Sequence, residues 1–258
     1  MSRYHHYTSD SAFISILQSG SFWLTNGRFL NDPLDCHNRA DEILALAEQY
    51  LDGQLKKVFL SLLDFNIEAY VASFTSSDDD LVHWRAYGDD GHGVSLGFDP
   101  GLITGIEREV QGIRINNRKM LAALPVIYHR ERLDVLLHEL FRGVAAESKG
   151  NDDCNALAVK VLLTSRLFLC CYKENGWIVE QERRLIHMSL VDKDILPRAY
   201  RVKRGHLYDY AVTDFESGAL KSITLGPKCS FEVDMVKRFT ESLGYDGVTI
   251  NRSALRYR

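Results

Sequence analysis

The sequence predicts an α+β fold, and three observations carry that expectation. Segments with the β-branched and aromatic content of strands gather towards both ends of the chain. The stretches between them recur in apolar residues at helical spacing. No internal repeat, low-complexity tract or Pro/Ser-rich linker divides the 258 residues, so one domain over 1–258 is expected, with a helical insertion at 130–172.

Taken in order, RYHHYT reads as a strand and SDSAFISILQSG as a helix capped by Ser9 or Asp10. Phe13, Ile16 and Leu17 form its apolar stripe, and Gly20 follows its last turn. SFWLTN is a second short strand. FLNDPLD holds an Asn31-Asp32-Pro33 turn that leads into a helix from about Asp35 to Leu51. KKVFLSLLDF continues helically and IEAYVASFT is a strand. SSDDDLVHWRAYG reads as a short capped helix, and DDGHGVSLGFDP as a glycine-rich turn and strand. LAALPVIYH is strand-like. RLDVLLHELFRGVAAES and CNALAVKVLLTSRLFLCC pair naturally as a helical hairpin, which accounts for the expected insertion. EQERRLIHM, HLYDYAVT and LKSITLG are further strands, followed by the helix FEVDMVKRFTESLG and a last short strand, GVTI.

Composition narrows the function. A net charge of −4 excludes the broad basic footprint of a dedicated nucleic-acid binder. The five cysteines lack CxxC spacing, which argues against a disulfide framework or zinc site and points to a reducing, cytoplasmic setting. The nine histidines never fall in metal-ligand spacing, so no metal is expected. No apolar run approaches the ~20 residues that span a bilayer, so no membrane partner is expected either.

Three clusters are the chemical candidates. His6, Tyr7 and Thr8 end the first strand immediately before a helix N-terminus, where orphan backbone N–H groups suit a ligand; a structural histidine is the competing reading. Trp84 and Tyr87, three residues apart on a helical turn, suit stacking on a planar ring, and a small aromatic core is the alternative. Glu180 and Glu182 would share one face of an extended segment. Paired carboxylates in a cleft push their pKa values apart, which suits acid/base or cation-stabilising work. The alternative is a solvated edge in which they neutralise Arg183 and Arg184.

In sequence, HYTS, SILQSG, FWLTN, FLNDP, WRAYGDDGHGVSLGF and ExERRLI resemble one bacterial family described as a domain of unknown function. Asp35 stands where that pattern has glutamate. The opening His-Tyr-Thr, helix, Ile-Leu-x-x-Gly and strand are also similar to the start of ADP-ribosyltransferase-like domains. That resemblance implies a split β core with a helical insertion, NAD as co-substrate, and a nucleotide as ligand with a macromolecular acceptor. It also implies an NAD-dependent ADP-ribosyltransferase or NAD glycohydrolase, in a toxin or phage-defence setting. Carried over, His6 holds the ribose, and Trp84, Tyr87 or Ser95 fills the mid-chain position. Glu182 stabilises an oxocarbenium-like ribosyl cation, and Glu180 activates the acceptor. Two alternatives stand beside it: a nucleotide-sensing module without turnover, and a metal-independent RNA-processing enzyme using His6 or His83 with Glu182.

Overall fold

The computed structural model describes residues 3–30, 36, 40–63, 67–105, 108–110, 113–150, 153–190, 195–203 and 205–257. In chain order the elements are β1 (Tyr4–Thr8), α1 (Asp10–Ser19), β2 (Ser21–Asn26), α2 (Ala40–Tyr50), α3 (Gly53–Leu62), β3 (Ile67–Thr75) and α4 (Leu81–Ala86). Next come β4 (Val94–Phe98), α5 (Pro100–Thr104), β5 (Arg108–Val110), β6 (Ile113–Asn116), β7 (Leu121–Pro125), α6 (Arg130–Glu147) and α7 (Cys154–Cys170). The chain finishes with β8 (Glu182–Leu190), β9 (Arg198–Lys203), β10 (His206–Asp214), β11 (Leu220–Leu225), α8 (Val233–Ser242) and β12 (Thr249–Arg252). The result is a mixed α+β fold around one curled, half-barrel sheet.

Local chemistry sets the first crossover. Ser9 caps α1 by accepting from the Ala12 N–H, and Gly20 ends it in the left-handed region, its N–H donating to the Ile16 carbonyl. Between these stops Phe13 and Leu17 turn inward. They meet Phe22, Phe74 and Phe98, whose burial contributes roughly 1.5–3 kcal/mol per ring. Gly93 lies directly against β1: a Cβ there would stand 2.0 Å from the Thr8 carbonyl oxygen.

The sheet forks at β3. One edge of β3 pairs antiparallel with β8 along its whole length, from Ile67 opposite Leu190 to Thr75 opposite Glu182. The other edge is shared. β2 takes Tyr70 and Val71, β1 takes only Thr75, and the intervening Ala72, Ser73 and Phe74 have no strand partner on that side. β1 leads away through β4 and β11 to β12, while β2 leads the other way through β10 to β9. The His6 imidazole fills part of the gap, its Nδ1 donating to the Ser73 carbonyl at 2.9 Å. An otherwise orphaned backbone acceptor is thereby satisfied.

A second apolar layer covers β3, β7 and β8. There α6 and α7, the helices expected at 130–172, pack with α2 and α3 through Phe59, Leu133, Phe141 and Val161. The helix expected from about Asp35 to Leu51 contains α2, and its expected start at Asp35 lies outside the described residues, as does the Asn31-Asp32-Pro33 turn. A difference concerns Glu180. It closes a 3-10 turn, Asn175–Glu180, and Gln181 then adopts φ 43°, so the two glutamates are not on one extended segment.

Candidate functional site

Two cavities meet at the fork. The smaller, about 130 Å³, is lined by His6, Tyr87, Lys173, Trp177, Glu180 and Glu182 among others. The larger, about 730 Å³, runs along α1, β2 and β9–β10. His6, Leu30, Ser73 and Tyr87 bound both. A cavity near 150 Å³ accepts one six-membered ring, so the smaller chamber has the size of a single ring, whereas the larger lies in the range that holds a whole small molecule.

The register of β3 against β8 brings the carboxylates here. Thr75 faces Glu182 and Ser73 faces Arg184, so side chains two apart on each strand project together. Glu182 Oε1 accepts from Ser73 Oγ at 2.6 Å and Arg184 Nε at 2.9 Å. Its Oε2 accepts from Arg184 Nη2 at 3.1 Å and lies 3.0 Å from Lys173 Nζ. All four acceptor positions of that carboxylate are therefore taken. Glu180 is less committed: Tyr87 Oη donates to Oε1, and Lys173 Nζ to Oε2 at 2.7 Å. The left-handed Gln181 turns the chain so that one lysine reaches both glutamates, an outcome that the i, i+2 spacing alone does not explain.

Two carboxylates face one lysine and one arginine, so the buried cluster is electrically balanced. Burial pulls the Glu182 carboxyl upward, but Arg184, Lys173 and Ser73 outweigh it and bring it down to about 2. Burial likewise opposes the charge on Lys173, and the two glutamates outweigh it, holding the ammonium above its usual range. At His6, burial holds the imidazole below its usual range, against the opposing bond to Ser73. Because a carbonyl only accepts, Nδ1 carries the proton and Nε2 of the neutral ring is left as an acceptor.

Of the residues singled out in the sequence, His6, Tyr7, Tyr87, Glu180 and Glu182 line the smaller cavity, and His6, Thr8 and Tyr87 line the larger. Trp84 lines neither. It is fully buried, edge-on to Tyr7 with centroids 4.6 Å apart, and its indole N–H donates to Asp79 at 2.7 Å. Tyr87 caps α4 with φ −129°, which takes it off the helical face that the three-residue spacing implied. Ser95 is buried and also lines neither cavity. Arg184 is neither solvated nor at an edge: it is 1% exposed and also bonds the Cys170 carbonyl.

Sequence reasoning passed over Lys173, Ser73 and Trp177. Lys173 is a lone cation seven residues before Glu180, and Ser73 is the one hydroxyl between the buried Ala72 and Phe74, a signal readable only once the strand pairing is known. His83 ties the site together, its Nε2 bonded to the Glu180 carbonyl at 2.9 Å. Among the described residues, no three His, Cys, Asp or Glu side chains are grouped to hold a metal ion, and no helix is long and apolar enough to cross a membrane.

A family described as "Protein of unknown function (DUF2971)" matches residues 83–185, about two fifths of the chain. That span runs from His83 on α4 through Lys173, Glu180 and Glu182 to Leu185, and does not include β1. No curated protein and no solved structure matches the chain. Over residues 83–185, the chain is similar to a family of unknown function.

Proposed function

We propose that the fork binds NAD and cleaves its nicotinamide–ribose bond, transferring ADP-ribose to an acceptor or to water. The observation that carries this reading is the convergence of His6, from the first strand, with Tyr87, Glu180 and Glu182 around one ring-sized chamber beside a larger groove. A sheet split between β1 and β2 is compatible with the ADP-ribosyltransferase-like core that the opening motif implies.

The hydrogen bonding favours giving both roles suggested for the two glutamates to Glu180. Glu182 has no free acceptor position, so it fixes Lys173, Arg184 and Ser73 and acts as a positioning residue. Glu180 keeps a lone pair on each oxygen and faces the cavity, so it is the carboxylate that stabilises the ribosyl cation. In the step itself the C1′–N bond breaks and its electron pair leaves with neutral nicotinamide. A C1′–O bond then forms to the acceptor or water, whose proton passes to Glu180. His6 Nε2 accepts from a ribose hydroxyl and orients the sugar.

The test is nicotinamide release from NAD by the purified chain, alone and with protein, DNA or RNA acceptors. Release by the wild type and a loss of about 100-fold or more in Glu180→Gln is expected. No release under any of these conditions overturns the proposal. The saturation of Glu182 also favours a second reading, a nucleotide-sensing module, which predicts NAD binding without release.

A further inference from the structure

The larger groove has a wall that the carboxylate chemistry does not use. Pairing of β2 with β10 sets Trp23 opposite Val212 and Thr25 opposite Tyr210, and pairing of β10 with β9 sets Tyr208 opposite Arg201. Trp23, Thr25, Tyr208, Tyr210 and Arg201 therefore share one face of the ribbon, while Phe22, Leu24 and Ala211 on the other face enter the core. Trp23 stacks on Tyr210 with centroids 4.6 Å apart at 28°, and Phe29 stands edge-on to Tyr208 at 4.8 Å. Trp23 and Phe29, which both line the groove, nevertheless stay 43% and 39% exposed.

Arg201 completes the wall. Its Nη2 donates to Thr25 Oγ1 at 2.8 Å and its guanidinium lies 5.7 Å from the Tyr210 ring, contacts that hold the side chain in place. Its Nε is buried without a hydrogen-bond partner, and no carboxylate neutralises it among the described residues. Arg184 and Arg198, by contrast, each pair with a glutamate. A fixed guanidinium with spare donors, beside exposed aromatic faces and the Thr8, Ser11 and Ser15 side chains, has the chemistry of a phosphate and base site.

The geometry points to a nucleotide-phosphate subsite in this groove: Arg201 holds the phosphate of a free adenine nucleotide, and Trp23 with Tyr208 stacks its base. This rests on the NAD reading for its place in a whole ligand, and it assigns the half of that ligand that the carboxylate chamber is too small to hold. The steric logic is direct, since His6, Leu30, Ser73 and Tyr87 border both cavities and a ligand crossing there enters each.

Calorimetry of the full chain with ADP, which carries no nicotinamide, tests the subsite apart from any turnover. The wild type is expected to bind ADP, with affinity falling about tenfold or more in Arg201→Gln and in part recovering in Arg201→Lys. Circular dichroism of each variant checks the fold, and quenching of Trp23 fluorescence by ADP, lost in Trp23→Phe, reports the base. Equal ADP affinity in wild type, Arg201→Gln and Arg201→Lys overturns the inference, as does a wild type that binds a short single-stranded oligonucleotide but not ADP. ADP binding through Arg201 with no nicotinamide release leaves the subsite standing and removes the NAD-cleavage reading. Nicotinamide release with an NAD KM indifferent to Arg201→Gln does the reverse.

Discussion

Replacing Lys173 with methionine removes the one cation shared by Glu180 and Glu182 while keeping the length of the side chain. In the wild type Nζ lies 2.7 Å from Glu180 and 3.0 Å from Glu182, and all three side chains are under 10% exposed. The variant leaves two carboxylates facing Arg184 alone, a buried cluster with one uncompensated charge. Breaking a buried pair in this way costs about 3–5 kcal/mol, a large share of the ~5–15 kcal/mol that separates folded from unfolded chains. At roughly 2–4 °C per kcal/mol for a chain of this size, thermal unfolding near pH 7 is expected to fall by about 6–20 °C. The pH dependence has a fixed sign. Glu182 sits at about 2 when folded against an ordinary 4.5, so its contribution is full above pH 4.5 and is lost as pH falls towards 2. Lys173 supplies part of that depression, so the gap between wild type and Lys173→Met narrows over the same window. Denaturant titrations from pH 7 to pH 3 measure it. A loss below about 1 kcal/mol at pH 7, or a gap indifferent to pH, refutes the buried, charge-balanced cluster described above.

Three further expectations concern the fork and its support. Ser73→Ala removes the 2.6 Å donor to Glu182 Oε1 and should cost about 1–3 kcal/mol by chemical denaturation, since one buried charged oxygen loses a partner. Gly93→Ala places a Cβ 2.0 Å from the Thr8 carbonyl, a backbone obstacle that cannot rotate away, so β1 must shift; lower stability together with faster amide exchange across Tyr4–Thr8 is the expected result, and unchanged exchange would contradict the close approach. The His6 ring is expected to titrate below its ordinary midpoint because burial penalises the imidazolium, and nitrogen NMR at pH 7 should find the proton on Nδ1. A ring protonated on Nε2 alone would mean that the bond to Ser73 is not made.

Much of the chain's architecture is written in local pattern. The strand IEAYVASFT coincides with β3, and the Ser9 and Gly20 stops of the first helix coincide with its caps, because capping and side-chain alternation act over a few residues. The same holds for the residues of the site: HHYT and ExE are conspicuous because polar groups at such places need a reason. What each of them does is decided further away. Trp84 and Tyr87 are alike in the sequence, yet one packs under Tyr7 and the other faces the cavity, since the end of a six-residue helix is set by what it packs against. Glu180 and Glu182 look equivalent until Ser73, Arg184 and Lys173 arrive from β3, β8 and the segment after α7 and fill one carboxylate but not the other. Arg201 carries no signal by itself and gains one only where β9 pairs with β10, whose other edge pairs with β2 along the groove. The sequence by itself determined the α+β class, the ends of elements such as α1 and β3, and the candidate residues, while β5, β6 and β9 went unread in it. Tertiary structure alone decided the fork in the sheet, the saturation of Glu182 and the open guanidinium, because those depend on pairing between segments far apart in the chain, and backbone register rather than residue identity determines which side chains meet.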